Sequence, residues 1–96
     1  MAIAVIVEFP GGTLAQYDKA IELMGMSPGG THTEPGCIFH WVTANDDGVR
    51  VTDVWEDKSQ FEAFARDKIG PLTEQAGFPA PPNVSFVEVH NYLTRP

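Results

Sequence analysis

With 96 residues, 43% of them hydrophobic, the chain has material for one domain around one core and no room for a second. Thirteen Asp and Glu against six Lys and Arg give a formal charge of −7. That balance repels phosphate backbones and anionic lipid surfaces, and so excludes nucleic acid and a membrane as expected partners.

The run Ala2–Phe9 is strand-like. Its apolar part is too short for a secretory core, carries no basic leader and runs straight into Glu8, so it is expected to be the first strand of a cytoplasmic protein. Pro10-Gly11-Gly12 makes a turn, and Thr13 with Gln16 three residues later has the form of a capping box. The helix that starts there carries Leu14, Tyr17, Ile21 and Met24 at helical spacing and stops at Gly25. Met26–Gly36 holds three Gly and two Pro in 11 residues, which predicts a long irregular loop of the kind that contacts ligands. His32 lies in it.

Cys37–Ala44 and Val49–Glu56 read as the second and third strands, joined by Asn45-Asp46-Asp47-Gly48, whose residue types suit a tight antiparallel hairpin. Cys37 is the lone cysteine, so an internal disulfide is excluded, and its place opening a strand predicts a small, inert buried residue. Asp57 is the expected cap of a second helix, with Gln60 at the reciprocal position and Phe61, Phe64, Ala65 and Lys68 or Ile69 on its inner face. Gly70-Pro71 is expected to interrupt it. A short further helix starts at Pro71, ends at Gly77, and leads through Phe78–Pro82 to a fourth strand, Val84–Leu93. No window reaches the roughly 18 apolar residues of a membrane span.

The order β-α-β-β-α-β predicts an α+β, ferredoxin-like domain over residues 1–96, with helices on one face of a four-stranded antiparallel sheet. The other face is not built for water. Ala4 and Ile6 oppose Val5 and Val7 on the first strand, while Phe39 and Trp41 oppose Ile38 and Val42 on the second, so both faces are apolar. A second copy stacked sheet to sheet would bury the spare face, which predicts a homodimer.

The element order, the third-strand ending Asp53-Val54-Trp55-Glu56-Asp57 followed by Phe61 and Phe64, and the run Val87-Glu88-Val89-His90 together resemble the dimeric α+β barrel superfamily. That group includes antibiotic-biosynthesis monooxygenases, quinol monooxygenases and haem-degrading oxygenases, besides uncharacterised small proteins. The resemblance implies two sheets closing into a barrel and, in each subunit, a pocket between sheet and helices. Reaction class does not follow from architecture. Haem degradation in the manner of that superfamily is disfavoured, because only Trp55 matches its site: the first strand has no Asn and Lys58–Ala76 has no His.

One juxtaposition follows from the hairpin. Even-numbered residues of the second strand share a face with odd-numbered residues of the third, so His40 lies with Asp53 and Trp55. In the register where paired numbers sum to 93, His40 stands directly opposite Asp53, with Cβ atoms about 5 Å apart. A carboxylate there would fix the imidazole tautomer, as general-base catalysis requires. The same pairing also serves two polar residues that merely satisfy each other. His40 and Asp53 are therefore the candidate catalytic pair, and Tyr17, Ile21, Trp55, Phe61 and Phe64 the candidate ligand wall. His90 is a further candidate ligand contact whose facing on the fourth strand the sequence leaves open.

Metal-ligand spacings, phosphate cradles, hydrolase elbows and flavin or haem motifs are not present in the sequence, and no cofactor is expected. Two functions stand. One is a small-molecule-binding barrel protein, by resemblance a cofactor-independent monooxygenase-like enzyme acting on an aromatic or polyketide-like substrate. The other is a non-catalytic ligand-binding or assembly module.

Overall fold

The computed structural model describes residues 1–26 and 34–94. It contains β1 (Ile3–Pro10), α1 (Leu14–Leu23), β2 (Cys37–Asn45), β3 (Gly48–Trp55), α2 (Lys58–Phe64), a π-helical turn (Ala65–Ile69), α3 (Gly70–Gln75) and β4 (Asn83–Glu88). The sheet order is β2-β3-β1-β4 with every neighbouring pair antiparallel. This is the expected ferredoxin-like α+β arrangement. Most of the predicted loop, with His32, lies outside the described residues.

Alternation along the strands decides where the core sits. Val5, Val7 and Phe9 of β1 and Val49, Val51 and Trp55 of β3 are buried on the helix side, where Phe61 and Ile69 meet them. Burying such side chains stabilises the fold by about 1.5–3 kcal/mol each. The opposite face is open: Phe39, Trp41 and Val87 are 52%, 47% and 54% exposed. Glu8 and Arg50, paired across the strands, close one end of that face.

Local signals set the boundaries of α1. Thr13 and Gln16 form the reciprocal capping box. At the other end Gly25, at φ +82°, lets its own N–H and that of Met26 reach back to the carbonyls of Glu22 and Ile21, the bonding of a Schellman stop. Leu14 departs from expectation. The inward face centres on Ala20 and Ile21, so Leu14 in the first turn is left 47% exposed.

The hairpin has the predicted register, with Asn45 opposite Gly48 and His40 opposite Asp53. Asn45 Oδ1 accepts from the N–H groups of Asp47 and Gly48 at 2.9 and 3.0 Å, which holds the turn. An irregularity between Cys37 and Phe39 returns Cys37 to the core side opposite Trp55, beyond His40, and so leaves the His40–Asp53 register undisturbed.

Three expectations are corrected. Asp57 does cap α2, through the N–H of Ser59, but Gln60 makes no return bond; its side chain is turned against Gly36 instead. Gly70-Pro71 does not break the helix, because the Gly70 N–H bonds the Ala65 carbonyl in a wider π turn that carries the chain past the proline. The fourth strand ends at Glu88 rather than Leu93. Glu88 pairs with Ile3, the first residue of β1, and after one further bond from Val89 to the Ala2 carbonyl there is no β1 backbone left to pair. Among the described residues no helix is long and apolar enough to cross a membrane.

Candidate active site

Four side chains from three elements make one hydrogen-bonded chain. Asp53 on β3 is 3% exposed and ionisable, so its oxygens need donors. Trp55 supplies one, its Nε1–H donating to Oδ2 at 3.1 Å. His40 supplies the other across the strand pair, with Nδ1 at 2.6 Å from Oδ1. Because an ionised carboxylate only accepts, the proton of a neutral imidazole is on Nδ1, and Nε2 presents a lone pair. Tyr17, on α1, fills that lone pair: its hydroxyl lies 2.5 Å from Nε2 and its ring stacks on the imidazole at 12°. Polar hydrogens thus point from both ends toward one buried carboxylate.

Burial, then Asp53 and then Asp18, push the Tyr17 phenol up to about 12. Tyr17 therefore stays protonated near neutral pH and acts as the donor to His40. Burial and then Asp53, with a smaller contribution from Glu34, likewise push the Cys37 thiol up to about 12, against the opposing effect of a hydrogen bond to the Phe39 backbone. A thiol held protonated in this way is a poor nucleophile, in keeping with the inert role expected of it.

The chain of bonds forms one wall of a cavity of about 390 Å³ between sheet and helices, a size suited to a small organic molecule. Tyr17, Ile21, Trp55 and Phe64 line it together with His40 and Asp53. Phe61 does not. It packs edge-on behind Trp55 at 5.7 Å and against Phe86, so it supports the wall without forming it. His90 lies past the end of β4, exposed and outside the lining. Sequence reasoning missed the Tyr17–His40 bond and the contributions of Thr73 and Phe78, which arrive from α3 and the segment after it. Among the described residues no three His, Cys, Asp or Glu side chains gather as a metal site would need.

No known family profile matches the chain, and no curated protein matches it by sequence. Solved structures do. The NE2512 protein of unknown function from Nitrosomonas europaea superposes with a TM-score of 0.69 at 18% identity, over 99% of this chain and 95% of that one. A monooxygenase from the ActVA-Orf6 gene of Streptomyces coelicolor, in complex with nanaomycin D, gives 0.55 at 22% identity over 99% and 92%. SnoaB, a cofactor-independent oxygenase from Streptomyces nogalater, gives 0.57 at 14% identity over 98% and 97%. The chain therefore has the ferredoxin-like α+β fold seen in antibiotic-biosynthesis monooxygenase-like proteins, and at these identities the likeness is one of fold alone.

Proposed function

We propose that the protein is a homodimeric, cofactor-independent monooxygenase-like enzyme that encloses a phenolic or polyketide-like aromatic molecule between sheet and helices. The observation that carries this reading is the Tyr17–His40–Asp53 chain on the wall of a cavity of about 390 Å³. The fold neighbours lend support, since one is described as a cofactor-independent oxygenase and another as a monooxygenase in complex with nanaomycin D. Two copies pairing through Phe39, Trp41 and Val87 would cover the open sheet face.

The chemistry assigned to the residues is proton transfer. For an electron-rich ring bearing an activated CH2, His40 takes a proton from carbon, directly or through the Tyr17 hydroxyl, and Asp53 holds the imidazolium. The carbanion reduces dioxygen and joins it to form a peroxide, which takes the proton back. Loss of the second C–H proton breaks the O–O bond, so CH2 and O2 become C=O and H2O. Electrons come from the substrate throughout. A specific observation also favours the second reading, a ligand-binding module: Tyr17 already satisfies Nε2, so the polar network is complete in itself.

Aerobic incubation with a dihydroxyanthrone, following oxygen uptake and quinone absorbance above the uncatalysed rate, tests the assignment. His40→Ala is expected to keep the fold and lose about 10²–10⁴-fold in turnover. Unchanged turnover in that variant removes His40 as the base, and no turnover by the native protein leaves the binding module.

A further inference from the structure

Within the ligand site proposed above, we infer that the cavity is built for an uncharged ring and rejects one that carries a carboxylate, sulfonate or phenolate. Its lining includes three carboxylates, Asp18, Glu34 and Asp53, and among the described residues neither Lys nor Arg. The described cations are committed elsewhere: Arg50 to Glu8 on the far face, Arg66 to Asp67, Lys19 to Glu22, and Lys58 over the ring of Phe86. Lys68 is paired with Glu34, which leaves that carboxylate neutralised from outside and offers no positive charge inward.

Apart from the indole of Trp41, a residue 47% exposed on the edge strand, the side-chain donors of the lining are no more available than cations. Tyr17 donates to His40, His40 and Trp55 donate to Asp53, and Thr73 donates to the Ile69 carbonyl at 2.6 Å. An anion entering this space sheds water and finds Tyr17, His40, Trp55 and Thr73 with their polar hydrogens already given away, a far larger loss than a neutral molecule of the same shape incurs. Two acidic groups on the wall report the same environment, for both the Tyr17 phenol and the Cys37 thiol are pushed up to about 12, by burial first and Asp53 second. A docked phenol meets those walls and keeps its proton. Negative charge on the ligand is then tolerated only while its proton sits on His40, as an ion pair whose cation Asp53 holds. The site thus couples binding of a neutral molecule to ionisation inside the cavity.

The test compares two fluorescent probes that share a ring frame, neutral N-phenylnaphthylamine and anionic anilinonaphthalene sulfonate. Methyl NMR shifts of Ile21, Val51 and Ile69 assign each signal to the cavity rather than to the open sheet face. The native protein is expected to bind the neutral probe at least about tenfold more tightly. The double variant Asp18→Asn with Glu34→Gln removes two carboxylates and frees Lys68; it is expected to tighten the sulfonate by about tenfold and leave the neutral probe within about twofold. Equal affinity of the native protein for both probes, or a ratio that the double variant does not move, overturns this inference and leaves the proton-transfer reading standing. Absence of both probes from the cavity overturns both. Loss of turnover in His40→Ala, by contrast, has no bearing on the probe ratio.

Discussion

Replacing Asp53 by Asn keeps the shape of the buried side chain and removes its charge, and the consequences can be worked from its two partners. The carboxylate accepts from Trp55 Nε1–H at 3.1 Å and from His40 Nδ1 at 2.6 Å. Hydrogen bonds to a charged group contribute about 1.5–3 kcal/mol against about 0.5–1.5 for neutral ones, so neutralising both costs about 2 kcal/mol, partly offset by no longer burying a charge. For a domain of this size that corresponds to a drop of about 10 °C in Tm. The larger effect is on the imidazole. The amide oxygen is needed by the Trp55 N–H, so the amide NH2 faces Nδ1, which must then become the acceptor. The proton moves to Nε2, the Tyr17 hydroxyl has to turn and accept it, and no basic nitrogen faces the cavity. Turnover should fall by about 10²–10⁴-fold. Ring-nitrogen NMR shifts read the tautomer directly, and urea unfolding reads the stability. If Asp53→Asn keeps the Nδ1–H tautomer with turnover unchanged, the carboxylate does not set the proton position and the reasoning fails.

Three other outcomes follow from separate parts of the molecule. Gly48→Ala should lose more than about 3 kcal/mol in urea unfolding, because φ is +145° there and a Cβ would stand 2.2 Å from the Phe9 carbonyl oxygen; a near-native midpoint would mean the turn relaxes freely. In sedimentation the native protein should run as twice its 10.5 kDa chain mass, and Trp41→Glu, which sets a charge beside Phe39 on the open sheet face, should run as one chain. A native species of single-chain mass at micromolar concentration contradicts the dimer. Stability should also decline in alkali. The unfolded chain releases the Cys37 proton near 9.0 and the Tyr17 proton near 10.0, whereas the folded chain keeps both to about 12. Across that window the unfolded state binds fewer protons, so the stabilisation present below about pH 9 is lost as pH rises toward 12. Tyr17→Phe should flatten part of that decline, and an unchanged slope would show that the phenol does not contribute.

What could be read in advance was what neighbours in sequence determine. Thr13 and Gln16, the Asn45–Gly48 turn and strand alternation act over two to four residues, and from them the element order, the hairpin and the facing of His40 with Asp53 followed. The exposed second face was legible for the same reason, since Phe39 and Trp41 must point opposite to His40 and Val42. Features that depend on distant partners were not legible. The end of β4 is set by where β1 begins, not by the apolar run through Leu93. Phe61 and Phe64 have the same helical signature, yet only Phe64 reaches the cavity, because Trp55 stands between Phe61 and the opening. The Tyr17–His40 bond depends on how far α1 slides over the sheet, a distance fixed by the packing of Ala20 and Ile21 and invisible to spacing.

The register of one hairpin sets the proposed proton-transfer pair and part of the stability at once. A shift of one residue between β2 and β3 would turn His40 to the open face and bring Phe39 or Trp41 inward, leaving Asp53 buried with only the indole as donor. Breaking such a network by removing one partner costs about 3–5 kcal/mol, more than most single apolar contacts supply. Asp53 therefore acts against misregistration whatever its part in the proposed proton transfer: the turn residues favour the pairing, and a buried carboxylate that needs a donor opposite it enforces it. On this argument His40→Ala, while keeping the fold, should exchange its β2 amides faster, and His40→Asn, which retains a donor toward Asp53, should restore their protection without restoring the base. Backbone amide exchange in β2 separates those two variants in a way that turnover alone does not.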